Sequence, residues 1–434
     1  MQSVRGMQDI LPEESKYWQY IHQIALNILE SANYQEIKTP IVEARSLFER
    51  SIGEETDIIS KEMYTFNDRA KRALTLRPEG TASIARAILQ HNLCANNRTQ
   101  KLWYFGPMFR YERPQQGRQR QFHQLGIECY GSNHPALDAE IIYIAWSILS
   151  KLQCGQVVLH LNSIGNSKER QMYSEQLKQY FLKYIKNLDL RLVQTIHKNP
   201  LRLLDSKESK LHEIISGAPN ILQYLDNNST QHFDLVQQYL TDLNVPFQVN
   251  NKLVRGLDYY NNTVFEFKTN ALGTQDTICG GGRYDSLTQQ IGGNPIHAIG
   301  WGMGIERLII LLKNHIDIIN KPPCIYIATQ NTNYIGYSLR ILPVIQQYNL
   351  KYEIDLSGSS LTKQLQKANK QNAMICIIIG EEEITNHTLT IKWLEEGDQK
   401  TYSTASFEQL VPVIASRYKD KFTQNIYKAY STCL

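Results

Sequence analysis

The sequence predicts a multidomain chain of mixed helix and strand: an α+β core holding a long antiparallel hairpin, interrupted by a helical insert and followed by a small α/β domain. Three observations predict it. Two runs rich in aromatic and branched residues, Lys101 to Glu112 and Arg120 to Tyr130, flank the polar stretch PQQGRQ and read as hairpin strands. Residues 166–250 have helical spacing, are rich in Lys, Gln and Leu, and lack the Gly, Arg and aromatic clusters on either side. After Lys321-Pro322-Pro323, short apolar runs alternate with helix-compatible stretches.

Along the chain, Tyr17, Ile21, Ile24, Ala25, Ile28 and Leu29 form one helical stripe, and Ile141, Ile144, Ala145, Ile148, Leu149 and Leu152 form another. Strand chemistry returns at Leu253 to Lys268, with Asn261-Asn262 as an expected tight turn. The cluster ICGGGRYD follows, read as a glycine turn that lets backbones approach, and a helix is expected from near Gly304. Beyond the prolines, Ile325 to Thr329, Tyr352 to Leu356 and Ile375 to Ile379 are expected strands, and Leu361 to Gln371 a helix. The expected boundaries are 1–165 and 251–320 for the two parts of the core, 166–250 for the insert and 321–434 for the last domain.

With 434 residues, 42% hydrophobic and 20% charged, the composition excludes disordered and fibrous classes. The longest apolar run, Ile141 to Leu149, falls well short of the ~20 residues that cross a bilayer. Asp9, Pro12, Glu13 and Glu14 interrupt any signal-peptide pattern, so export and membrane insertion are not expected. Seven scattered cysteines (Cys94, Cys129, Cys154, Cys279, Cys324, Cys376 and Cys433) fit reduced cytosolic thiols better than a disulfide framework or zinc ribbon. A net charge of +4 is too small to identify a nucleic-acid binder; the placement of charge matters more.

That placement centres on the hairpin. Arg110, Arg113, Arg118 and Arg120 face a single acid, Glu112. Strand alternation puts Arg110 and Glu112 on one face, and Phe122, Gln124, Gly126 and Glu128 on one face of the partner, with Gly126 as a notch for a small molecule. Residue types alone leave two readings open: a binding floor, or a solvated hairpin with ion pairs worth ~0 to 1 kcal/mol each. Arg255 equally reads as an ion-pair partner, and Tyr259 and Tyr260 as packing residues. GWGMGIER lacks the full G-x-G-x-x-G spacing of a dinucleotide loop.

The ordered series RGMQDILP, RPEGT (Arg77 to Thr81), FRYERPQQGRQRQFHQLGIE (Phe109 to Glu128), LVRGLDYYNNTVFEF (Leu253 to Phe267), GGRYD (Gly281 to Asp285) and GMGIERL (Gly302 to Leu308) closely resembles the histidyl-tRNA synthetase family. The resemblance implies a class II synthetase core, an antiparallel sheet flanked by helices, with an inserted helical domain and a carboxy-terminal anticodon-binding domain. By position, Arg110 resembles the arginine on the ATP α-phosphate, Glu112 the acid at the adenine amino group, Phe122 the adenine-stacking ring, and Arg118 and Arg307 further phosphate contacts. Glu79, Gly80, Thr81 and Gln124 resemble the residues gripping the histidine α-amino group. Glu128, Tyr259 and Tyr260 resemble those facing the imidazole, and Arg255 the second catalytic arginine beside Arg110. ATP is the implied co-substrate, Mg2+ the implied companion of its phosphates without a dedicated protein site, and L-histidine and tRNA(His) the other partners. A cytoplasmic homodimer is implied as well. Ser286 stands where the family often has a second glycine after GGRYD.

Residues 322–434 hold eleven Lys plus Arg against ten Asp plus Glu, so bulk attraction does not select an anticodon there; base contacts, stacking and shape must. Gln115-Gln116-Gly117 reads equally as an acceptor-end contact and as a plain turn. The main alternative is a non-catalytic regulatory subunit of histidine biosynthesis, which typically lacks the RGLDYY arginine and the anticodon domain. A nucleic-acid-binding module without catalysis would explain only Arg113 to Arg120.

Overall fold

The computed structural model describes residues 1–431 apart from 54–55, 96–97, 186–187, 207, 274–275 and 319–320, so Cys433 lies outside the described residues. Two compact units, Met1–His315 and Ile316–Leu434, divide the chain.

The first unit opens with α1 (Pro12–Ser31). Pro12 occupies its first turn, where a missing N–H breaks no helical bond, and Glu13 and Glu14 face the positive end of the helix dipole. Tyr17, Ile21, Ala25 and Leu29 are buried, while Ile24 and Ile28 on the flank of the stripe are half-buried. β1 (Gln35–Glu36) then joins the large sheet as a parallel edge. β2 (Val42–Ala44), α2 (Arg45–Ile52), β3 (Thr65–Asn67) and β4 (Ala73–Leu76) follow, the three strands forming a small side sheet absent from the sequence expectation.

After α3 (Thr81–Gln90) comes the hairpin: β5 (Gln100–Phe109) and β6 (Gln121–Tyr130) pair from Gln100 with Tyr130 to Phe109 with Gln121. The expectation that Arg110 and Glu112 share a strand face is corrected, because the strand ends at Phe109. The Tyr111 N–H is taken by the Glu62 carbonyl at 2.7 Å, and that of Glu112 by the Arg110 carbonyl at 2.7 Å, so the ladder stops there. α4 (Pro135–Lys151) buries Ile141, Ile144, Ala145, Ile148 and Leu149, and the Trp301 indole donates to the Ile141 carbonyl at 3.0 Å.

β7 (Val158–Ser163) precedes the helical run of α5 (Ser167–Leu182), α6 (Leu190–Lys198), α7 (His212–Ser216) and α8 (Asn227–Asp242). β8 (Phe247–Val249) returns to pair parallel with β7, so the end of the 166–250 segment belongs to the sheet. β9 (Asn261–Lys268), β10 (Thr277–Arg283), α9 (Leu287–Gln290), β11 (Ala298–Gly304) and α10 (Ile305–Lys313) complete the unit. Asn261-Asn262 is not a hairpin turn but the start of β9, with Asn262 at φ 49° beside a register shift between Gly282 and Arg283. The three glycines of ICGGGRYD likewise lie within strand β10 rather than in a turn. The sheet order is β1-β5-β6-β11-β10-β9-β7-β8, antiparallel through its six central strands.

Beneath this sheet, Arg283 and Asp138 form a fork, with Nε to Oδ2 at 3.0 Å and Nη2 to Oδ1 at 2.5 Å; the His232 ring lies 3.0 Å from Oδ2. Asp138 is fully buried. Burial alone would raise its pKa, but Arg283 and His232 outweigh it and hold the carboxyl below its ordinary value.

In the second unit, β12 (Ile325–Thr329), α11 (Ile335–Ser338), α12 (Leu342–Gln347), β13 (Tyr352–Ile354), α13 (Leu361–Lys370) and β14 (Ile375–Ile379) are followed by α14 (Glu381–Thr385), β15 (Thr388–Trp393), β16 (Gln399–Ser403) and α15 (Thr404–Ser431). The sheet order is β13-β12-β14-β15-β16, parallel in its first three strands and antiparallel beyond. Ile325, Ile327, Ile375, Ile377 and Ile379 are fully buried, which explains why these strands read as unbroken apolar runs.

Removing one partner of the buried fork strands the other charge. Asp138→Ala is therefore expected to lower the unfolding free energy of the first unit by about 3 to 5 kcal/mol in denaturant titration, and a loss under ~1 kcal/mol would show that Arg283 finds another partner.

Candidate active site

On the face of the large sheet away from α4, glycines at the centre of β10 and β11 leave room for approaching groups. A methyl group added at Gly280 would sit 2.6 Å from Nη1 of Arg255, so only glycine lets that guanidinium lie on the sheet. Above this floor is a cavity of about 550 Å³.

Segments far apart in the chain converge on it. Arg110, Glu112, Arg118, Phe122 and Gln124 come from the hairpin and the irregular backbone beyond β5; Glu79 and Thr81 stand at the start of α3; Arg255, Tyr259 and Tyr260 come from the loop before β9; Arg307 lies in the first turn of α10. Gly80 and Glu128 do not line the cavity. A larger depression of about 990 Å³ is lined by Arg50, Arg86, Arg98 and residues 291–297, with no carboxylate among its described lining residues.

One end of the cavity is cationic. Arg118 pairs with Glu112, Arg110 Nε donates to the Pro78 carbonyl at 2.9 Å, and the Arg110 guanidinium lies 5.3 Å from the centre of the Phe122 ring. Arg307 donates to the carbonyls of Gly117, at 3.2 Å, and Thr277. Burial lowers the pKa of Arg307, and Arg118 and Arg110 push it further down, so these guanidinium groups oppose one another across the cavity. Such an arrangement favours an anion that neutralises them together.

At the other end are buried acids and phenols. Glu79, 4% exposed, accepts from the Tyr259 hydroxyl at 3.0 Å and from the Ala82 N–H at 3.3 Å, and burial raises its pKa although Arg110 opposes. The Tyr259 and Tyr260 rings lie 4.7 Å apart. Arg255 pairs with Glu266 and lies 5.6 Å from the centre of the Tyr260 ring, and its buried Nε has no hydrogen-bond partner among the described residues. Glu266 is divided among cations, since Lys268 Nζ is 3.1 Å away and Thr277 donates to it at 3.2 Å.

Glu128 stands behind this wall, fully buried, its two oxygens met by the hydroxyls of Thr81 (2.6 Å) and Tyr284. Burial pushes its pKa up to about 8, with those hydroxyls pulling the other way. The notch expected at Gly126 is not open. Tyr104, opposite Gly126 in the β5–β6 register, lays its ring there and also covers Gly80. An aromatic ring over a cross-strand glycine is a known way to fill such a gap, and the spacing of Tyr104 and Gly126 about the hairpin turn carried that signal. Tyr104, Glu62, Arg202, Asp205 and Glu266 also line the cavity, and the sequence did not single them out.

Known proteins resemble the chain over nearly its whole length. Residues 6–308 match the family model described as "Histidyl-tRNA synthetase", and residues 324–417 match "Anticodon binding domain". The chain is 51% identical over 409 residues to a chloroplastic histidine–tRNA ligase of Gracilaria tenuistipitata var. liui, covering 94% of this chain and 97% of that one. It is 47% identical over 423 residues to a histidine–tRNA ligase of Cyanothece sp., covering 98% and 99%. Among solved structures, apo histidyl-tRNA synthetase from S. aureus matches with a TM-score of 0.79 and 33% identity, covering 96% of this chain and all of that one.

The raised pKa of Glu128 has a stability consequence. Its carboxyl ionises near 4.5 in the unfolded chain and at about 8 in the folded one. Between these values the folded state keeps a proton that the unfolded state has lost, so the contribution of this group to stability falls as pH rises through that window. Glu128→Gln is expected to flatten the decline of unfolding free energy between pH 5 and 8; an unchanged slope would mean that the carboxyl is already ionised in the fold.

Proposed function

The chain belongs to the histidyl-tRNA synthetase family, and we propose that the cavity on its large sheet is where histidine is activated. The enzyme joins L-histidine to tRNA with consumption of ATP. In the first step a histidine carboxylate oxygen attacks the α-phosphorus of ATP, giving histidyl-adenylate as pyrophosphate leaves. In the second, a terminal ribose hydroxyl of tRNA attacks the acyl carbon and AMP leaves. A carboxylate is ionised at neutral pH, so no protein nucleophile is required. What must be supplied is alignment of two anions and stabilisation of the charge that builds on the transferring phosphorus.

The observation that carries this reading is that Arg110 and Arg255, from opposite parts of the core, line one cavity with the buried Glu79–Tyr259 pair. We assign Arg110 and Arg255 to the α-phosphate, with Arg118 and Arg307 on the outer phosphates. Phe122 takes the adenine ring and Glu112 its amino group. The α-ammonium of histidine goes to Glu79, Gln124 and Thr81, with Gly80 setting the backbone at that corner. Tyr259 and Tyr260 are assigned to the imidazole, and so is Glu128, from behind the Thr81 hydroxyl whose hydrogen bond it accepts. Imidazole offers one donor and one acceptor nitrogen, which a phenol and a carboxyl match, and an amino acid lacking them leaves those groups unpaired.

Mg2+ accompanies ATP. Among the described residues no cluster of three His, Cys, Asp or Glu side chains is placed to hold a metal, and Glu112 and Glu266 are engaged by Arg118 and Arg255. We therefore assign the ion to the nucleotide phosphates rather than to a protein cage.

The second unit takes the anticodon of tRNA(His), and the turn at Gln115-Gln116-Gly117 beside the cavity is the assigned acceptor-end contact. A second copy of the chain is the natural cover for the exposed apolar side chains Ile41, Val42 and Phe66 by the small sheet, which supports a homodimer. Six free thiols among the described residues support a reducing compartment, the cytoplasm, and no described helix is long and apolar enough to cross a membrane. The regulatory-subunit alternative has less support, because Arg255 lines the cavity and residues 324–417 match an anticodon-binding domain.

Histidine-dependent exchange of pyrophosphate into ATP is the direct test: exchange absent without histidine and present with it supports activation, and no exchange under saturating histidine would leave only the regulatory reading. In the same assay Arg255→Ala is expected to lose on the order of 10²-fold or more in kcat with a much smaller rise in histidine KM. Equal losses in both would assign Arg255 to ground-state binding.

A further inference from the structure

Resting on the histidine-pocket reading above, we infer that Arg170 of the inserted helices is a positioning residue that fixes the loop presenting Arg255, Tyr259 and Tyr260. Arg170 is not among the described residues that line the cavity. Its Nη1 donates to two backbone carbonyls of that loop, Asp258 at 3.1 Å and Tyr260 at 2.5 Å. Both carbonyls belong to the short stretch whose side chains carry the chemistry: Tyr259 to Glu79, and Tyr260 beneath Arg255.

The loop has little regular structure to hold it, since residues 253–260 precede β9. Its anchors come from both the core, where the Asp258 N–H donates to the Ile52 carbonyl at 3.4 Å, and the inserted segment. Lys252 donates to the carbonyls of Ala218 and Pro219, and Asn199 reaches the Asp258 carboxylate at 3.4 Å. From the core, Asn162 of β7 donates to the Leu253 carbonyl at 2.9 Å. Arg170 differs from these in binding the loop where the tyrosines emerge.

Arg170 is itself well placed to be stiff. It lies in the first turn of α5, where Asn166 and Glu169 form a reciprocal cap, and Glu169 also accepts from the Asp226 N–H at 2.5 Å and the Ser229 hydroxyl at 2.9 Å at the start of α8. The guanidinium therefore projects from a point where two inserted helices are locked together. A charged donor shared by two carbonyls fixes their separation, and with it the aim of both phenol rings. A displacement of this loop by about 1 Å would misplace histidine without removing any group that contacts it.

The test is steady-state pyrophosphate exchange by full-length Arg170→Met and Arg170→Lys, with histidine and ATP titrated separately and Tyr259→Phe run alongside. Arg170→Met is expected to raise histidine KM about tenfold or more while ATP KM changes less than about threefold, and Arg170→Lys, which keeps the charge but not the planar fork, to fall between it and the wild type. A fall in kcat with both KM values unchanged marks lost folded enzyme only and overturns the assignment. If Arg170→Met does not yield folded protein, Arg170→Lys decides: a raised histidine KM with ATP KM unchanged supports the role and a wild-type value refutes it. Should Tyr259→Phe leave histidine KM unaltered, the pocket reading itself fails and this inference with it; if Tyr259→Phe raises KM and Arg170→Met does not, only the positioning role fails.

Discussion

Positive charge gathered around one cavity is the constraint on which the rest of the structure depends. Activation brings a carboxylate against a triphosphate, and the repulsion between them has to be met by cations already in position. Burial lowers the pKa of Arg118 and of Arg307, Arg110 pushes both further down, and Arg118 pairs with Glu112. On the other side Arg255 leans on Glu266, which is shared with Lys268 and Thr277. The glycine floor makes this possible, since any side chain at Gly280 would displace the Arg255 guanidinium.

The other end of the cavity follows the opposite principle. Glu79, Glu128, Tyr104, Tyr259 and Tyr284 are buried together, and burial shifts every one of them toward its neutral form. Buried, hydrogen-bonded groups of this kind discriminate through what they lose when a partner is missing. The cavity thus joins an end lined by guanidinium groups to an end lined by buried acids and phenols, and the loop of residues 253–260 contributes Arg255, Tyr259 and Tyr260 to it.

Periodicity revealed much of the fold. The stripes of α1 and α4, the hairpin of β5 and β6, and the buried strands β12 and β14 follow directly from spacing, because each is a local pattern tied to one buried face. The small sheet of β2, β3 and β4 was invisible because its strands are short and mostly exposed, leaving no alternation to read. The termination of β5 at Phe109 depends on a hydrogen bond from Tyr111 to Glu62, a partner many residues away that no local window contains.

The site was legible in a different way. Ordered motifs picked out thirteen residues, and eleven of them line one cavity. The error at Gly126 is instructive: its strand neighbours were read along one chain, whereas the decisive contact, Tyr104, lies across the register. Glu62 and Glu266 escaped notice for a related reason, since an acid acquires meaning only from the guanidinium groups that the fold sets beside it.

The most direct measurement is the crystal structure of the enzyme with the non-reactive sulfamoyl analogue of histidyl-adenylate. The expected result places guanidinium nitrogens of both Arg110 and Arg255 about 3 Å from oxygens of the sulfamoyl group, which stands where the α-phosphate would be. A complex in which either arginine stays on its present partner, out of hydrogen-bonding reach of that group, would contradict the shared clamp.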